Sequence, residues 1–222
     1  MRKLNLLTLL LALLLGALSV PALAHDHSGD DDAASKATSA SQAPGDDPYY
    51  FATSPTGKAL GDTPVVEVYE GRELRFADKA DAAAFHKDAD KYIAELNQRI
   101  IADQGEYYPL DVCPVTGEPL DVPVDYVSGN HLVRFCCEGC ISEFETDPSK
   151  YLAKVDAAAI AKQSAAYPLD HCLLLPDEKF EPEHDILVGG RLFRLCCGGC
   201  EAKVRENPVE WIARLEEAWQ GK

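Results

Sequence analysis

The chain predicts an α+β fold made of three tandem modules, each a small β-hairpin followed by helices, set behind a signal peptide and a disordered leader. Three observations carry this reading: an internal repeat with a period near 59 residues, a glycine-bearing turn inside each repeat, and helical spacing of apolar residues with proline-marked helix boundaries after the second strand.

The repeat is clearest in the second half. Tyr108-Pro109-Leu110-Asp111-Val112-Cys113 returns as Tyr167-Pro168-Leu169-Asp170-His171-Cys172. Leu132-Val133-Arg134-Phe135-Cys136-Cys137-Glu138-Gly139-Cys140 returns as Leu192-Phe193-Arg194-Leu195-Cys196-Cys197-Gly198-Gly199-Cys200, displaced by one more residue. An insertion therefore lies between the first cysteine and the pair. Applying the same period backwards gives an earlier copy in which Leu74-Arg75-Phe76 matches Val133-Arg134-Phe135, and Phe85, Asp88, Lys91 and Tyr92 fall on Phe144, Asp147, Lys150 and Tyr151. Its cysteines are gone, with Ser54, Ala77, Asp78 and Asp81 standing at the positions of Cys113, Cys136, Cys137 and Cys140. The expected modules are residues 49–104, 105–163 and 164–222.

Each copy has the same expected local structure. A loop carries the first cysteine, and a hairpin turns at Glu70-Gly71, Gly129-Asn130 or Gly189-Gly190, where glycine or asparagine accepts positive φ. The second strand ends on the cysteine pair and a helix begins near the last cysteine. In copy two that helix shows Ile141 and Phe144 and stops before Asp147-Pro148, because proline restricts the residue ahead of it. A second helix opens at the proline, with Tyr151, Leu152 and Val155 as its apolar side; Val209, Trp211, Ile212, Leu215 and Trp219 play that part in copy three.

The N-terminal segment reads differently. Arg2 and Lys3 precede an apolar stretch over residues 6–20 that ends at Pro21-Ala22-Leu23-Ala24, the pattern of a secretory signal peptide over residues 1–24. The stretch falls short of a bilayer span and no later segment is long enough, so no membrane span is expected after cleavage. Residues 25–48 hold no apolar side chain beyond alanine and proline and read as a disordered His/Asp/Ser/Ala-rich leader. The expected location is secreted or periplasmic. Cleavage removes two positive charges, taking the formal net charge from −16 to −18, a surface that repels phosphate backbones and argues against a nucleic-acid partner.

The chemistry sits in the cysteines. Twenty-two residues separate Cys113 from Cys136, three separate Cys136 from Cys140, and Cys137 forms a Cys-x-x-Cys pair with Cys140. Cys172, Cys196, Cys197 and Cys200 repeat this with twenty-three residues in the long gap. A thiolate pair at a strand-to-helix turn can aim both sulfurs at one centre while a third arrives from a distant loop. Such sites suit Zn2+, and soft thiolates also suit Cu+ and other thiophilic ions. A disulfide framework stays open, because an exported chain meets an oxidising compartment. So does a structural zinc that holds a small core together. The cysteine-free first copy, having kept the pattern without the thiols, tips the balance toward exchangeable metal.

These residues resemble the TRASH and YHS domains, small treble-clef-like modules associated with heavy-metal handling. The likeness covers residues 50–217 and rests on Cys113, Cys136 and Cys140, on Phe135 and Phe144, and on Asp147-Pro148-Ser149-Lys150-Tyr151; copy three is looser at these last positions. The resemblance implies metal binding by the three cysteines, in metal trafficking, sensing or resistance, with a metal transporter or another exported protein as partner. It does not name the metal, and it carries no site onto copy one.

Other ligands are weaker. Cleavage after Ala24 would leave His25-Asp26-His27 at the mature N-terminus, where the free amine, two backbone nitrogens and the His27 imidazole make a square-planar arrangement for Cu2+, with His25 beside it. His171 stands next to Cys172, as a fourth ligand or an outer donor or, since copy two has Val112 there, equally as a surface residue; His86, His131 and His184 are expected to face solvent. No enzyme is expected, since no phosphate loop and no His-Glu-x-x-His motif is present. A thiol-disulfide oxidoreductase is the alternative that the Cys-x-x-Cys pairs leave open.

Overall fold

The computed structural model describes residues 47–221, so the expected signal peptide and most of the leader, with His25 and His27, lie outside the described residues. Among the described residues the order hairpin, short helix, long helix occurs three times: β1 (Val65–Tyr69), β2 (Arg72–Phe76), α1 (Lys79–Phe85) and α2 (Ala89–Gln104); β3 (Val124–Ser128), β4 (His131–Phe135), α3 (Gly139–Thr146) and α4 (Pro148–Ser164); β5 (Asp185–Val188), β6 (Arg191–Arg194), α5 (Gly198–Glu206) and α6 (Pro208–Gln220). Each hairpin is a separate two-stranded antiparallel sheet. No helix among the described residues is long and apolar enough to cross a membrane.

The local rules hold. Glu70 and Gly71 take φ of 50° and 77°, and Gly189 and Gly190 take 58° and 75°, the paired positive values that suit a tight turn between right-twisted strands. The middle turn uses positive φ only at Gly129, so Asn130 is there for another reason. Pro148 and Pro208 each open a helix, where a missing N–H costs nothing. Strand register repeats as well: Val65 pairs with Phe76 and Val124 with Phe135, while the third hairpin begins one pair later at Asp185 with Arg194.

A strand pair this short cannot bury its own face, so each hairpin packs on helices. The buried aromatic contact recurs, with Phe76 and Phe85 rings 5.3 Å apart and Phe135 and Phe144 rings 5.4 Å apart. The cores do not divide into three. Residues from Tyr49 to Val155 form one continuous apolar cluster, and a second, built on Phe193, Leu195, Val204 and Leu215, also takes in Tyr50 and Ala159. Trp219, expected in the core, is 37% exposed; Ile212 and Leu215 carry that side of α6 instead. Asp47 and Pro48, placed by sequence at the end of the leader, are buried.

Polar side chains stitch the segments together at repeated positions. Gln104, the last residue of α2, donates to the Asn130 carbonyl at 2.7 Å and accepts from the Leu132 N–H at 2.8 Å. Gln163, near the end of α4, does the same to the Gly190 carbonyl and the Leu192 N–H, both at 2.8 Å. The first two long helices, α2 and α4, thereby each clamp the hairpin that follows. Asn130 completes the joint by donating to the carbonyls of Asp47 and Glu73.

A second repeated position is the residue just after each turn, which presents a buried cationic or imidazole side chain to the long helix. Arg72 donates to Asn97 at 2.8 Å, and Arg191 holds Asp103 at 2.9 Å and Glu216 at 3.0 Å. In the second segment the group is His131, only 7% exposed, with Asp47 and Asp156 each 3.5 Å from a ring nitrogen. The expectation of a solvent-facing His131 is thus corrected: the slot it fills faces inward in all three segments. His184 is also partly buried, 2.6 Å from Glu201, while His86 stays exposed beside Glu67.

Candidate metal centres

The first cysteine of each cluster sits in a tight loop made by backbone hydrogen bonds. Cys113 donates its N–H to the Glu118 carbonyl at 2.8 Å, its carbonyl accepts from Gly117 at 2.8 Å, and Gly117 takes φ of 79° to close the turn. The Cys172 N–H bonds the Glu178 carbonyl at 2.8 Å across a loop one residue longer, which locates the insertion detected between the two copies. The other cysteines follow from strand and helix: β4 and β6 deliver Cys136 and Cys196, and the first turns of α3 and α5 carry Cys140 and Cys200.

These elements bring three sulfurs together twice. Cys113, Cys136 and Cys140 lie within 4.8 Å of one another, and so do Cys172, Cys196 and Cys200. Cys136 and Cys140 are 3.7 Å apart, Cys196 and Cys200 3.7 Å, and Cys172 and Cys200 3.8 Å. Sulfurs bound at about 2.3 Å around a tetrahedral ion stand about 3.8 Å apart, so the spacing fits a shared metal. All eight cysteines are free. In each triad the loop cysteine and the helix cysteine are buried and the strand cysteine is half-buried.

The remaining thiols stand outside these triads. Cys137 is exposed with its sulfur 3.7 Å from that of Cys140, and Cys197 is half-buried with its sulfur 3.8 Å from that of Cys196. His171 is turned to Asp170, 2.9 Å away.

The thiols are electrostatically unequal. Burial works against ionising Cys113, but the N–H groups of Thr116, Cys136 and Val115 and the Thr116 hydroxyl favour the thiolate more strongly and bring its pKa down to about 6. Cys172 is lowered in the same way, burial being outweighed by the Leu174, Leu175 and Cys196 N–H groups. Burial and the crowding of neighbouring thiols push Cys140 up to about 12 and Cys200 further. Cys196 rises to about 11, through burial first and then Cys172. In each cluster the loop cysteine is thus pushed toward the thiolate and the helix cysteine away from it, while Cys137 and Cys197 are lowered by hydrogen bonds from the neighbouring thiols and backbone N–H groups.

The corresponding place in the first segment is filled by hydrogen bonds. Asp81, at the position of Cys140, is fully buried; its carboxylate accepts from the Thr56 hydroxyl and from the Ala77 N–H at 2.9 Å, and Lys58 stands 4.0 Å away. Ser54, at the position of Cys113, meets Thr56 at 3.1 Å and accepts from the Lys58 N–H at 3.2 Å. Asp78, at the position of Cys137, caps α1 by accepting from the Asp81 N–H at 2.8 Å.

Sequence reasoning missed Gln104, Gln163, the buried His131 and the Asp81 network. The recurrence of glutamine at one repeat interval was the available signal for the first two. No family model, no curated protein and no solved structure matches the chain.

Proposed function

We propose that the protein is an exported metal-binding protein that holds one thiophilic ion, Zn2+ or Cu+, in each of its two cysteine triads, and that it serves metal trafficking, sensing or resistance. On this reading the chain is three copies of one treble-clef-like module of TRASH or YHS type, the first having exchanged its thiols for a hydrogen-bonded network. Zn2+ or Cu+ would be held by Cys113, Cys136 and Cys140 and by Cys172, Cys196 and Cys200. The ion neutralises thiolate charge that would otherwise be crowded into a partly buried space. The proposal gives the protein no catalytic role and places it outside the cytoplasm, on the strength of residues 1–24.

The observation that carries the reading is the pair of matched triads, each with its three sulfurs within 4.8 Å of one another and with Cys136–Cys140, Cys196–Cys200 and Cys172–Cys200 at 3.7 to 3.8 Å, where a tetrahedral thiolate site asks for about 3.8 Å. A thiol titration of the native protein, with and without a strong chelator, tests it. Metal-held thiols react only after chelation. Thiols that appear only after chemical reduction would mean disulfides, and the proposal would fail.

A further inference from the structure

Three sulfurs leave a tetrahedral ion one donor short, and what fills that position decides how the ion comes and goes. The geometry points to Cys137 and Cys197 as the fourth sulfur of the two centres, each closing the coordination shell from the solvent side. The inference rests on reading the two triads as metal centres.

Both segments that carry a triad carry this extra thiol, and at the same place, directly after the strand cysteine and at the start of a helix. The segment without a triad has Asp78 there, with its carboxylate committed to the helix cap. Each extra sulfur already stands at tetrahedral spacing from one member of its triad, Cys137 at 3.7 Å from Cys140 and Cys197 at 3.8 Å from Cys196. Little hinders a shift of either side chain, since Cys137 is exposed and Cys197 half-buried, and each sulfur lies over a glycine, Gly139 or Gly199, where even an added Cβ would stand 3.8 Å off.

Rival protein donors do not recur. The Thr116 hydroxyl, 3.4 Å from the Cys136 sulfur, is a hard donor, and the corresponding loop of the third segment holds Leu173, Leu174 and Leu175. His171 has Val112 at its place in the second segment, and its own Nδ1 is turned to Asp170. The thiol is the one donor type that both centres offer at this position among the described residues. As the metal–sulfur bond forms, the thiol proton passes to solvent water. In the second segment Cys137 is the most exposed of the four sulfurs, and so the one that an incoming soft donor displaces first.

Cobalt(II) reads the number of thiolates directly, because each sulfur bound to it adds to the ultraviolet charge-transfer absorption. The reduced full chain and the double variant Cys137→Ser with Cys197→Ser are titrated with Co2+ alone. Both are expected to bind two ions per chain, with the charge-transfer intensity per ion lower by about a quarter in the variant, as loss of one of four ligands requires. Equal intensity in the two proteins would overturn the inference and leave the triads standing. Failure of the wild-type chain to bind any Co2+ would overturn both the inference and the metal centres beneath it. X-ray absorption on the zinc-loaded wild-type chain supplies a readout that needs no variant: four sulfurs at the metal support the inference, and three sulfurs with one oxygen or nitrogen refute it.

Discussion

The first and second hairpin segments solve one structural problem with different chemistry. In both, a loop bearing the first site residue must be held against the end of a strand and the start of a helix. In the first segment, Asp81 ties these parts together by accepting from Thr56 in the loop and from Ala77 at the strand end. In the second, Cys113, Cys136 and Cys140 occupy the same three places and carry thiols whose crowding favours a cation between them. The difference teaches that this loop–strand–helix junction can be closed without metal. Where thiols are kept, the junction offers something the hydrogen-bonded version lacks, namely a group of soft donors that could hold a metal ion.

The comparison is broken or sharpened most strongly by removing metal. Chelation under reducing conditions should cost the metal-loaded chain about 4 kcal/mol or more, the linkage value for a free ion at a thousandfold excess over its dissociation constant. Hydrogen exchange should rise in the loops at Cys113 and Cys172 while the loop at Ser54 keeps its protection. Equal loosening of all three loops would show that the first segment is not independent of metal.

The reciprocal change attacks the first segment. Asp81→Ala strips the acceptor from the Thr56 hydroxyl and the Ala77 N–H and should destabilise the chain by about 1–2 kcal/mol, as expected for half-buried donors left to find water. Denaturant unfolding checks the magnitude, and metal stoichiometry should stay unchanged.

A comparable effect comes from the slot after each turn. Burial alone would lower the pKa of His131, but Asp47 and Asp156 reverse this and raise it from 6.5 to about 9. Its contribution is therefore present at pH 6.5 and is lost as pH rises through 9; on the acid side it weakens as Asp156, raised to about 6 by burial, takes up a proton. His131→Gln should cost on the order of 2 kcal/mol near pH 6.5 and little above pH 9, measured as the difference in unfolding free energy from the wild-type chain. A difference that does not change with pH would mean that His131 is neutral in the fold.

The mildest change tests the same slot in the first segment, where Asn97 stands in place of Asp156 and Glu216 and leaves the buried Nη1 of Arg72 without a partner. Asn97→Asp should stabilise the chain by about 1 kcal/mol, by giving that guanidinium a charged acceptor. Loss of stability would show that desolvating the new carboxylate outweighs the pairing.

Much of this arrangement was legible in the sequence because it depends on local chemistry. Gly71, Gly129 and Gly190 mark turns, Pro148 and Pro208 mark helix starts, and the spacing of Cys113, Cys136 and Cys140 marks a strand-to-helix site with a distant loop ligand. What escaped depends on tertiary placement. Gln104 and Gln163 look like ordinary helix-terminal residues until the next hairpin is set against them. His131 reads as a surface residue unless Arg72 and Arg191 are aligned with it and the shared slot is known to face inward. The sequence also presents Cys137 as the equal of Cys136 and Cys140, and only the fold separates an exposed thiol from the triad. The apolar cluster common to the first two segments was equally hidden, because each repeat by itself contains enough apolar residues to suggest a core of its own.

The central claim is that there are two metal centres, and that the first segment has none. A native mass spectrum of the full protein, taken from its own compartment without added oxidant, tests this most directly by reporting metal identity, stoichiometry and cysteine oxidation together. The account predicts two thiophilic ions per chain, and one in the variant Cys113→Ser with Cys140→Ser. A metal-free chain with all eight cysteines oxidised would contradict it.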